Sequence, residues 1–152
     1  MLPTTVVVPA YLSNSRCEPN IASDGAAGAD LRANIAAPLR LAPGQSASVP
    51  TGLFIQLPPG YAAFVVPQKG LAAKYKVSVL NSPGLIDSDY RGEIVVLLEN
   101  RGSASFALEP EERFAQLLVL QVPPVAFSYV GTEEDLAPSQ RGAQGFASTG
   151  RM

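Results

Sequence analysis

The chain has 152 residues, with 11 Lys and Arg, 13 Asp and Glu, one Cys and no His. This length is typical of one domain. The absence of histidine excludes a Ser-His-Asp triad, a Cys-His pair and His-ligated zinc or haem, and the single cysteine excludes an intramolecular disulfide. The formal net charge of −2 argues against a protein that coats nucleic acid, so we expect no direct nucleic-acid binding.

The sequence also lacks the signals of a membrane or secreted protein. No apolar run reaches the roughly 18–20 residues that a membrane-spanning helix needs. The first residues carry no basic region of the kind that begins a signal peptide. We therefore expect a soluble, cytoplasmic protein without a membrane partner.

Pro and Gly are spread through the chain and divide it into short segments. The 14 Pro and 13 Gly leave pieces that suit strands of about 5–6 residues better than long helices. Many such strands, separated by turns, predict a β-sandwich, jelly roll or barrel. One stretch, Gly70–Tyr75, is predicted to be helical. The candidate strands are Thr4–Val8, Ser46–Val49, Leu53–Leu57, Ala62–Val66, Val77–Leu80, Glu93–Glu99, Ser105–Leu108, Phe114–Gln121 and Val125–Val130.

Two polar segments lie in the first half of the chain. In the first, Asp30 and Arg32 flank Leu31, so in a strand they share one face. In the second, Pro67-Gln68-Lys69-Gly70 joins a strand to the predicted helix. Backbone N–H groups at such a turn can bind an anion, and Lys69 can reinforce the binding. The simpler interpretation is an ordinary strand-to-helix turn.

Two further polar segments follow. The stretch from Asn81 to Glu93 is predicted to be a hairpin with Asp87 and Asp89 near its end. Paired carboxylates can bind a metal or act as a base, although Asp, Ser and Gly are also ordinary turn residues. In the segment Glu112–Val119, the alternation of a strand places Arg113 and Gln116 on opposite faces.

The C-terminal residues differ in composition from the rest. They are rich in Gly and small polar residues and contain Arg141 and Phe146. Such a segment cannot bury enough surface to remain ordered alone. It is either a frayed terminus or a segment that orders on binding.

Together, and in this order, these five segments resemble the five motifs of the homotrimeric dUTP diphosphatases (dUTPases). The third is the most specific. The resemblance covers nearly the whole chain, and the matching stretches are Ala27-Gly-Ala-Asp-Leu-Arg, Pro67-Gln-Lys-Gly-Leu-Ala-Ala-Lys, Asn81 to Glu93, Glu112-Arg-Phe-Ala-Gln-Leu and Arg141-Gly-Ala-Gln-Gly-Phe-Ala-Ser-Thr-Gly.

The resemblance implies an all-β fold, a mostly antiparallel jelly-roll barrel or sandwich with one short helix, assembled as a homotrimer. Residues 1–138 form the jelly-roll domain on this reading. Residues 139–152 form a flexible tail that closes over the active site of a neighbouring subunit. Each site then takes the first, second and fourth motifs from one chain, the third from another and the tail from the third.

The implied reaction is the hydrolysis of dUTP to dUMP and diphosphate, which limits uracil incorporation into DNA and supplies dUMP for dTMP synthesis. Asp87 matches the carboxylate that holds the attacking water. Mg²⁺ is the implied cofactor, bound by the triphosphate and waters with no direct protein ligand, and Asp89 is structural. The residues implied to bind substrate are Lys69, Gly70, Asn81, Gly84, Ile86, Tyr90, Gln116, Arg141, Phe146, Ser148 and Thr149. Asp30 and Arg113 are implied to support them as an ion pair, and Gln68 also supports them.

The second motif departs from the usual Pro-Arg-Ser-Gly, because Gln68 and Lys69 stand where the family has Arg and Ser. Gln68 removes a charge and a bidentate donor. The tail also departs, with Gln144 and Ala147 at positions where the family favours Gly. These changes leave an alternative open, a weakened enzyme that acts as a dUTP-binding or regulatory trimer. A dCTP deaminase, which shares the fold, is a remote third interpretation.

Overall fold

A computed structural model describes residues 5–145 of the chain. These residues form ten β-strands, one α-helix and two short 3-10 turns at Ser15–Cys17 and Glu133–Asp135. The regular elements are β1 (Ala10–Leu12), β2 (Ala29–Arg32), β3 (Leu39–Leu41), β4 (Ser46–Ile55), β5 (Tyr61–Pro67), α1 (Lys69–Tyr75), β6 (Val77–Val79), β7 (Gly84–Ile86), β8 (Glu93–Asn100), β9 (Phe106–Leu108) and β10 (Arg113–Gln121).

The strands form two four-stranded sheets and one two-stranded ribbon. The first sheet has the order β1-β4-β8-β6, the second has the order β2-β10-β5-β7, and β3 pairs with β9. All of these named strand pairs are antiparallel. The mostly antiparallel β-fold with one short helix is the architecture that the sequence predicts.

The core draws on both four-stranded sheets, and the strand alternation explains which side chains enter it. In β8, Ile94, Val96 and Leu98 are buried and belong to the core cluster. The second sheet contributes Val65 and Phe114. Because side chains alternate between the two faces of a strand, the residues between the buried ones point the other way. Thus Val95 and Leu97 remain 44% and 36% exposed.

Two predicted strands are wrong in the described part of the chain. Residues 5–8 of the candidate Thr4–Val8 carry no strand, and the pairing begins at β1. The candidate Val125–Val130 is also not a strand, and its Phe127 and Tyr129 side chains are 80% and 91% exposed. Both segments have strand-like composition, but no strand of the described chain pairs with them. A strand-like composition is therefore not sufficient, because a strand also requires a neighbouring strand with which to pair.

The predicted helix is confirmed and begins one residue earlier, at Lys69. It ends at Tyr75, and its C-cap residue Lys76 has a left-handed conformation with φ of 61°. Of the helical segments in residues 5–145, none has the length and apolar composition that crossing a membrane requires.

Candidate active site

A buried carboxylate joins the first and fourth polar segments. Asp30 on β2 lies opposite Gln116 on β10 and is only 6% exposed. Its carboxylate accepts hydrogen bonds from Gln116 Nε2 at 3.0 Å and Arg113 Nη1 at 3.3 Å. The prediction that Arg113 and Gln116 lie on opposite faces is therefore wrong, because the pairing of β10 with β2 shifts register between Arg113 and Ala115. Since a buried carboxylate is stable only when it is paired, the contact with Asp30 fixes Gln116 on the sheet. Arg32 is not part of it, because its Nη1 donates instead to the carbonyl of Glu111 at 2.9 Å.

The second segment forms the turn between β5 and α1. Gln68 is the N-cap residue of α1, and its Oε1 accepts a hydrogen bond from the Leu71 N–H at 2.7 Å. The side chain lies over Gly70, where an added Cβ would come within 3.0 Å of Gln68 Oε1. Lys69 points outward and is exposed. Because Pro67 pairs with Ala115, this turn lies next to Gln116.

The third segment lines a cavity of about 340 Å³ between β7 and β8. Gly84 is buried, and an added Cβ there would lie 3.4 Å from the Cβ of Val65. The Tyr90 hydroxyl donates to the Glu93 carbonyl at 2.9 Å, and this hydrogen bond holds the Tyr90 ring against the cavity. The predicted site residues that line this cavity are Asn81, Gly84, Ile86, Asp87 and Tyr90. The arrangement is an apolar slot with a few polar groups at its edge, as is usual for a small-molecule site.

Asp87 lies at the boundary between this slot and a wider cleft. It is exposed, and it also lines a cleft of about 800 Å³ together with Ser88 and Asp89. Within residues 5–145 there is no group of three or more His, Cys, Asp or Glu side chains able to hold a metal ion.

The tail is described only as far as Gly145. Arg141 Nε donates to the Gln144 carbonyl at 2.6 Å, and its Nη2 donates to the Gly145 carbonyl at 3.0 Å. Among the described residues other than glycine, a positive φ occurs at Lys76 and Glu111, so Gln144 does not adopt the strained conformation. The predicted contacts Phe146, Ser148 and Thr149, and the departure at Ala147, lie outside the described residues.

Within one chain Asp87 of the slot does not meet Gln116 of the fourth segment. Ile86 pairs with Ala63 of β5, whereas Gln116 pairs with Val66. Three residues of strand span about 10 Å, and two strand spacings add about 10 Å across the sheet. Asp87, which follows Ile86, therefore lies about 14 Å or more from Gln116 in the same chain.

Two neighbours of Tyr90 were not predicted from the sequence. Glu93 Oε1 accepts a hydrogen bond from the Gly52 N–H at 2.7 Å, and the Glu93 carbonyl binds the Tyr90 hydroxyl. Gly92 leaves room for the Tyr90 ring, since an added Cβ would come within 2.5 Å of its Cζ atom. The presence of a glycine at position 92, two residues after Tyr90, was the feature of the sequence that could have predicted the contact between the Tyr90 ring and the backbone.

The family model described as dUTPase matches residues 16–150. The chain is also 51% identical over 132 residues to the deoxyuridine 5'-triphosphate nucleotidohydrolase of Chlamydia trachomatis serovar L2 and 48% identical to that of Chlamydia felis. Each alignment covers 87% of this chain and 90% of the relative. The chain therefore belongs to the dUTPase family.

Solved structures match the fold at lower identity. The dUTPase of Staphylococcus bacteriophage 80alpha with dUpNHpp aligns with a TM-score of 0.85 and 22% identity, over 97% of this chain and 100% of the other. A variant dUTPase from phage phi11 of S. aureus aligns with a TM-score of 0.74 and 17% identity, over 85% of this chain and 99% of the other. At these identities the likeness shows the fold alone.

Proposed function

We propose that this chain hydrolyses dUTP to dUMP and diphosphate. The observation that carries the proposal is the exposed carboxylate of Asp87 at the edge of a slot that Asn81 and Tyr90 also line, in a chain of the dUTPase family. A carboxylate is sufficient as the base, which agrees with the absence of histidine.

Asp87 holds the attacking water in this proposal. The water oxygen forms a bond to the α-phosphorus, the bond from that phosphorus to the bridging oxygen breaks, and diphosphate leaves. The Asp87 carboxylate accepts the proton from the water. Its exposed position beside the wider cleft supports the role, because solvent reaches it directly.

The apolar slot takes the uracil and the deoxyribose. Asn81 and the backbone of Gly84 and Ile86 pair with the edge of the base, which disfavours cytosine because its edge would leave buried polar groups unpaired. Tyr90 packs under the sugar and leaves no room for a 2′-hydroxyl. Its hydrogen bond to the Glu93 carbonyl at 2.9 Å keeps the ring in that place.

The other group of residues binds the phosphates. Lys69 and Gly70 lie at the turn before α1, and Gln116 lies beside them on β10. Asp30 orients the Gln116 amide and, through Arg113, forms the ion pair that holds the two strands together. Gln68 supports the turn, because its side chain is engaged as the helix cap and Lys69 carries the positive charge.

Mg²⁺ is the expected cofactor, bound by the triphosphate oxygens and water. This ion retains its waters and binds well through substrate phosphates. When bound, Mg²⁺ would neutralise charge on the triphosphate.

A homotrimer with shared sites accounts for the separation of the two groups. One subunit supplies the phosphate group, a second supplies the Asp87 slot, and residues 139–152 of the third close over both. In the closed tail, Phe146 stacks on uracil, while Arg141, Ser148 and Thr149 contact the terminal phosphate. Val95 and Leu97 have exposed apolar side chains that also line the slot, and in the proposed assembly a neighbouring subunit would cover the rest of this face.

Diphosphate release from dUTP with Mg²⁺, measured beside dCTP, dTTP and UTP, tests the reaction. Release from dUTP alone supports the proposal. Ammonia release from dCTP would instead indicate a deaminase. If dUTP raises the melting temperature but releases no diphosphate, the chain is a dUTP-binding trimer whose second motif has lost activity through Gln68 and Lys69.

The role of Asp87 is tested by Asp87→Asn. The variant keeps the shape of the slot and should bind dUTP within about threefold of the wild type, but its kcat should fall by about 10²–10⁴ because the amide cannot accept the proton. Calorimetric binding and diphosphate release separate the two effects. Asp89→Asn is the matched control and should keep most activity. A wild-type kcat for Asp87→Asn would contradict the assignment.

A further inference from the structure

The charges of this chain are distributed unevenly along the sequence. No Asp or Glu occurs between Asp30 and Asp87, although the whole chain has 13. The only three lysines of the chain, Lys69, Lys74 and Lys76, all lie within this acid-free stretch. They belong to α1 and its C-terminal cap, so one short helix carries all of the lysine charge.

Arg101 adds a fourth cation at the end of α1. Its backbone N–H donates to the Lys76 carbonyl at 3.0 Å. Arg101 and Lys76 together line an open cavity of about 310 Å³ with Ser78 and Ala72. Arg101 also pairs with Glu99, and it remains 59% exposed. We call Lys74, Lys76 and Arg101 the α1 cationic surface.

The lysines of this surface are not neutralised by neighbours. Among residues 5–145, the three ion pairs within 4.0 Å all involve arginine, so no carboxylate there pairs with a lysine. Lys74 lies over the ring of Tyr75, with Nζ 5.0 Å from the centroid, and Lys76 Nζ donates to the Ala73 carbonyl. Lys76 also occupies the left-handed conformation at which glycine is normally preferred.

The rest of the chain has more acidic than basic residues. The net charge is −2, and two carboxylates, Asp87 and Asp89, line the cleft beside the slot. A nucleoside triphosphate is strongly anionic, and a local positive surface beside an otherwise acidic protein steers such a ligand. Lys69 stands at one end of α1 and Lys76 at the other, about 10 Å apart along the helix.

We propose that the α1 cationic surface steers the nucleoside triphosphate to the phosphate end of the site and so increases its association rate. This inference rests on the proposed function for the position of that phosphate end at Lys69 and Gly70. The surface acts before the substrate is bound, so it changes the association rate constant and leaves the rate of the chemical step unchanged.

The test compares the wild type with Lys74→Gln, Lys76→Gln, Arg101→Gln and the triple variant. Lys69 is left intact because it is placed in the site. The association rate constant for dUpNHpp is measured on immobilised protein, and kcat and kcat/KM are measured for dUTP. At about 20 mM salt, where screening is weak, the triple variant should associate about three- to tenfold more slowly. Its dissociation rate constant and kcat should match those of the wild type.

Salt and a matched variant provide the controls. At about 0.5 M salt the Debye length is only about 4 Å, so the association rates of wild type and triple variant should converge. Arg16→Gln also removes one positive charge from an exposed side chain, but Arg16 is not part of α1 or its cationic surface. This variant should therefore reduce the association rate less than Lys74→Gln does. Lys76→Gly repeats the neutralisation without strain at Lys76 and guards against a folding defect in Lys76→Gln.

Three outcomes would overturn the proposal. The first is that the triple variant and the wild type associate with dUpNHpp at the same rate at low salt. The second is that the slower association of the triple variant persists at high salt. The third is that the triple variant loses kcat/KM only because its kcat falls. Failure of the proposed function gives a different result, since the wild type would then release no diphosphate from dUTP. The association of dUpNHpp would still report whether steering occurs.

Discussion

The position of Tyr90 depends on two adjacent features of its own turn. Its hydroxyl donates to the Glu93 carbonyl at 2.9 Å, and its ring lies where a side chain at residue 92 would be. Glu93 is itself fixed by the Gly52 N–H at 2.7 Å. A single missing Cβ at Gly92 therefore determines where the proposed sugar-binding ring lies.

Gly92→Ala should weaken the discrimination between dUTP and UTP. The added Cβ would come within 2.5 Å of Tyr90 Cζ, so the ring must move away from the sugar. We expect the ratio of kcat/KM for dUTP to that for UTP to fall about tenfold, which corresponds to about 1.4 kcal/mol. Gly25→Ala is the control, because nothing lies within 4 Å of its added Cβ. If Gly92→Ala kept the wild-type ratio of kcat/KM for dUTP to that for UTP, the proposal that Tyr90 excludes the 2′-hydroxyl would be contradicted.

At this scale the sequence predicted one side-chain contact and missed another. It paired Asp30 with Arg113, and the structure places Arg113 Nη1 3.3 Å from the carboxylate. It did not predict that Gln68 caps α1, because Gln is not among the residues preferred at an N-cap. The contact depends on the direction in which the chain leaves β5 and enters α1. The spacing of residues along the sequence does not predict that direction.

At the scale of elements, the end of α1 is strained. Lys76 has φ of 61° and ψ of 26°, a left-handed conformation that disfavours any residue with a Cβ. Its backbone N–H still donates to the carbonyls of Ala72 and Leu71, so the helix ends in a regular cap. The strain is therefore local to one residue of the helix terminus.

Lys76→Gly should raise the free energy of unfolding by about 0.5–1 kcal/mol. Glycine adopts the left-handed conformation without the steric cost, and this gain exceeds the loss of the Lys76 Nζ bond to the Ala73 carbonyl. Chemical denaturation of the wild type and the variant measures the difference. Lys74→Gly, within the helix, is the opposite control and should destabilise by about 1 kcal/mol. A destabilised Lys76→Gly would show that the side-chain bond outweighs the strain.

Prediction of elements succeeded where alternation and pairing agree. In β8 the apolar run from Ile94 to Leu98 predicted the strand, but the burial of only Ile94, Val96 and Leu98 follows from the face that packs on the core, since Val95 and Leu97 are equally apolar. The pattern failed at residues 125–130, which are equally apolar but have no strand beside them. β3, with three residues, was not predicted because its stability comes from pairing with β9 rather than from its own composition.

For the whole molecule, apolar surface remains exposed on the β8 strand. Val95 is 44% exposed and Leu97 is 36% exposed, on the face opposite the core. A strand with apolar residues on both faces is typical of a sheet that is covered on both sides. The proposed trimer would provide that cover, and it would bring the slot of one subunit to the phosphate-binding residues of another.

Leu97→Glu should therefore weaken the trimer. The wild type should have three times the 15.9 kDa mass of one chain by light scattering. A charge buried in the interface costs several kcal/mol, so the variant should dissociate at micromolar concentration. Leu97 also lines the slot of its own chain, so a loss of hydrolysis would not separate dissociation from damage to the slot, and the mass is the readout of assembly. Ile21→Glu changes a side chain that is 67% exposed and should leave mass and activity unchanged. A monomeric wild type that hydrolyses dUTP at full rate would contradict the shared site, since Asp87 and Gln116 would then have to act within one chain.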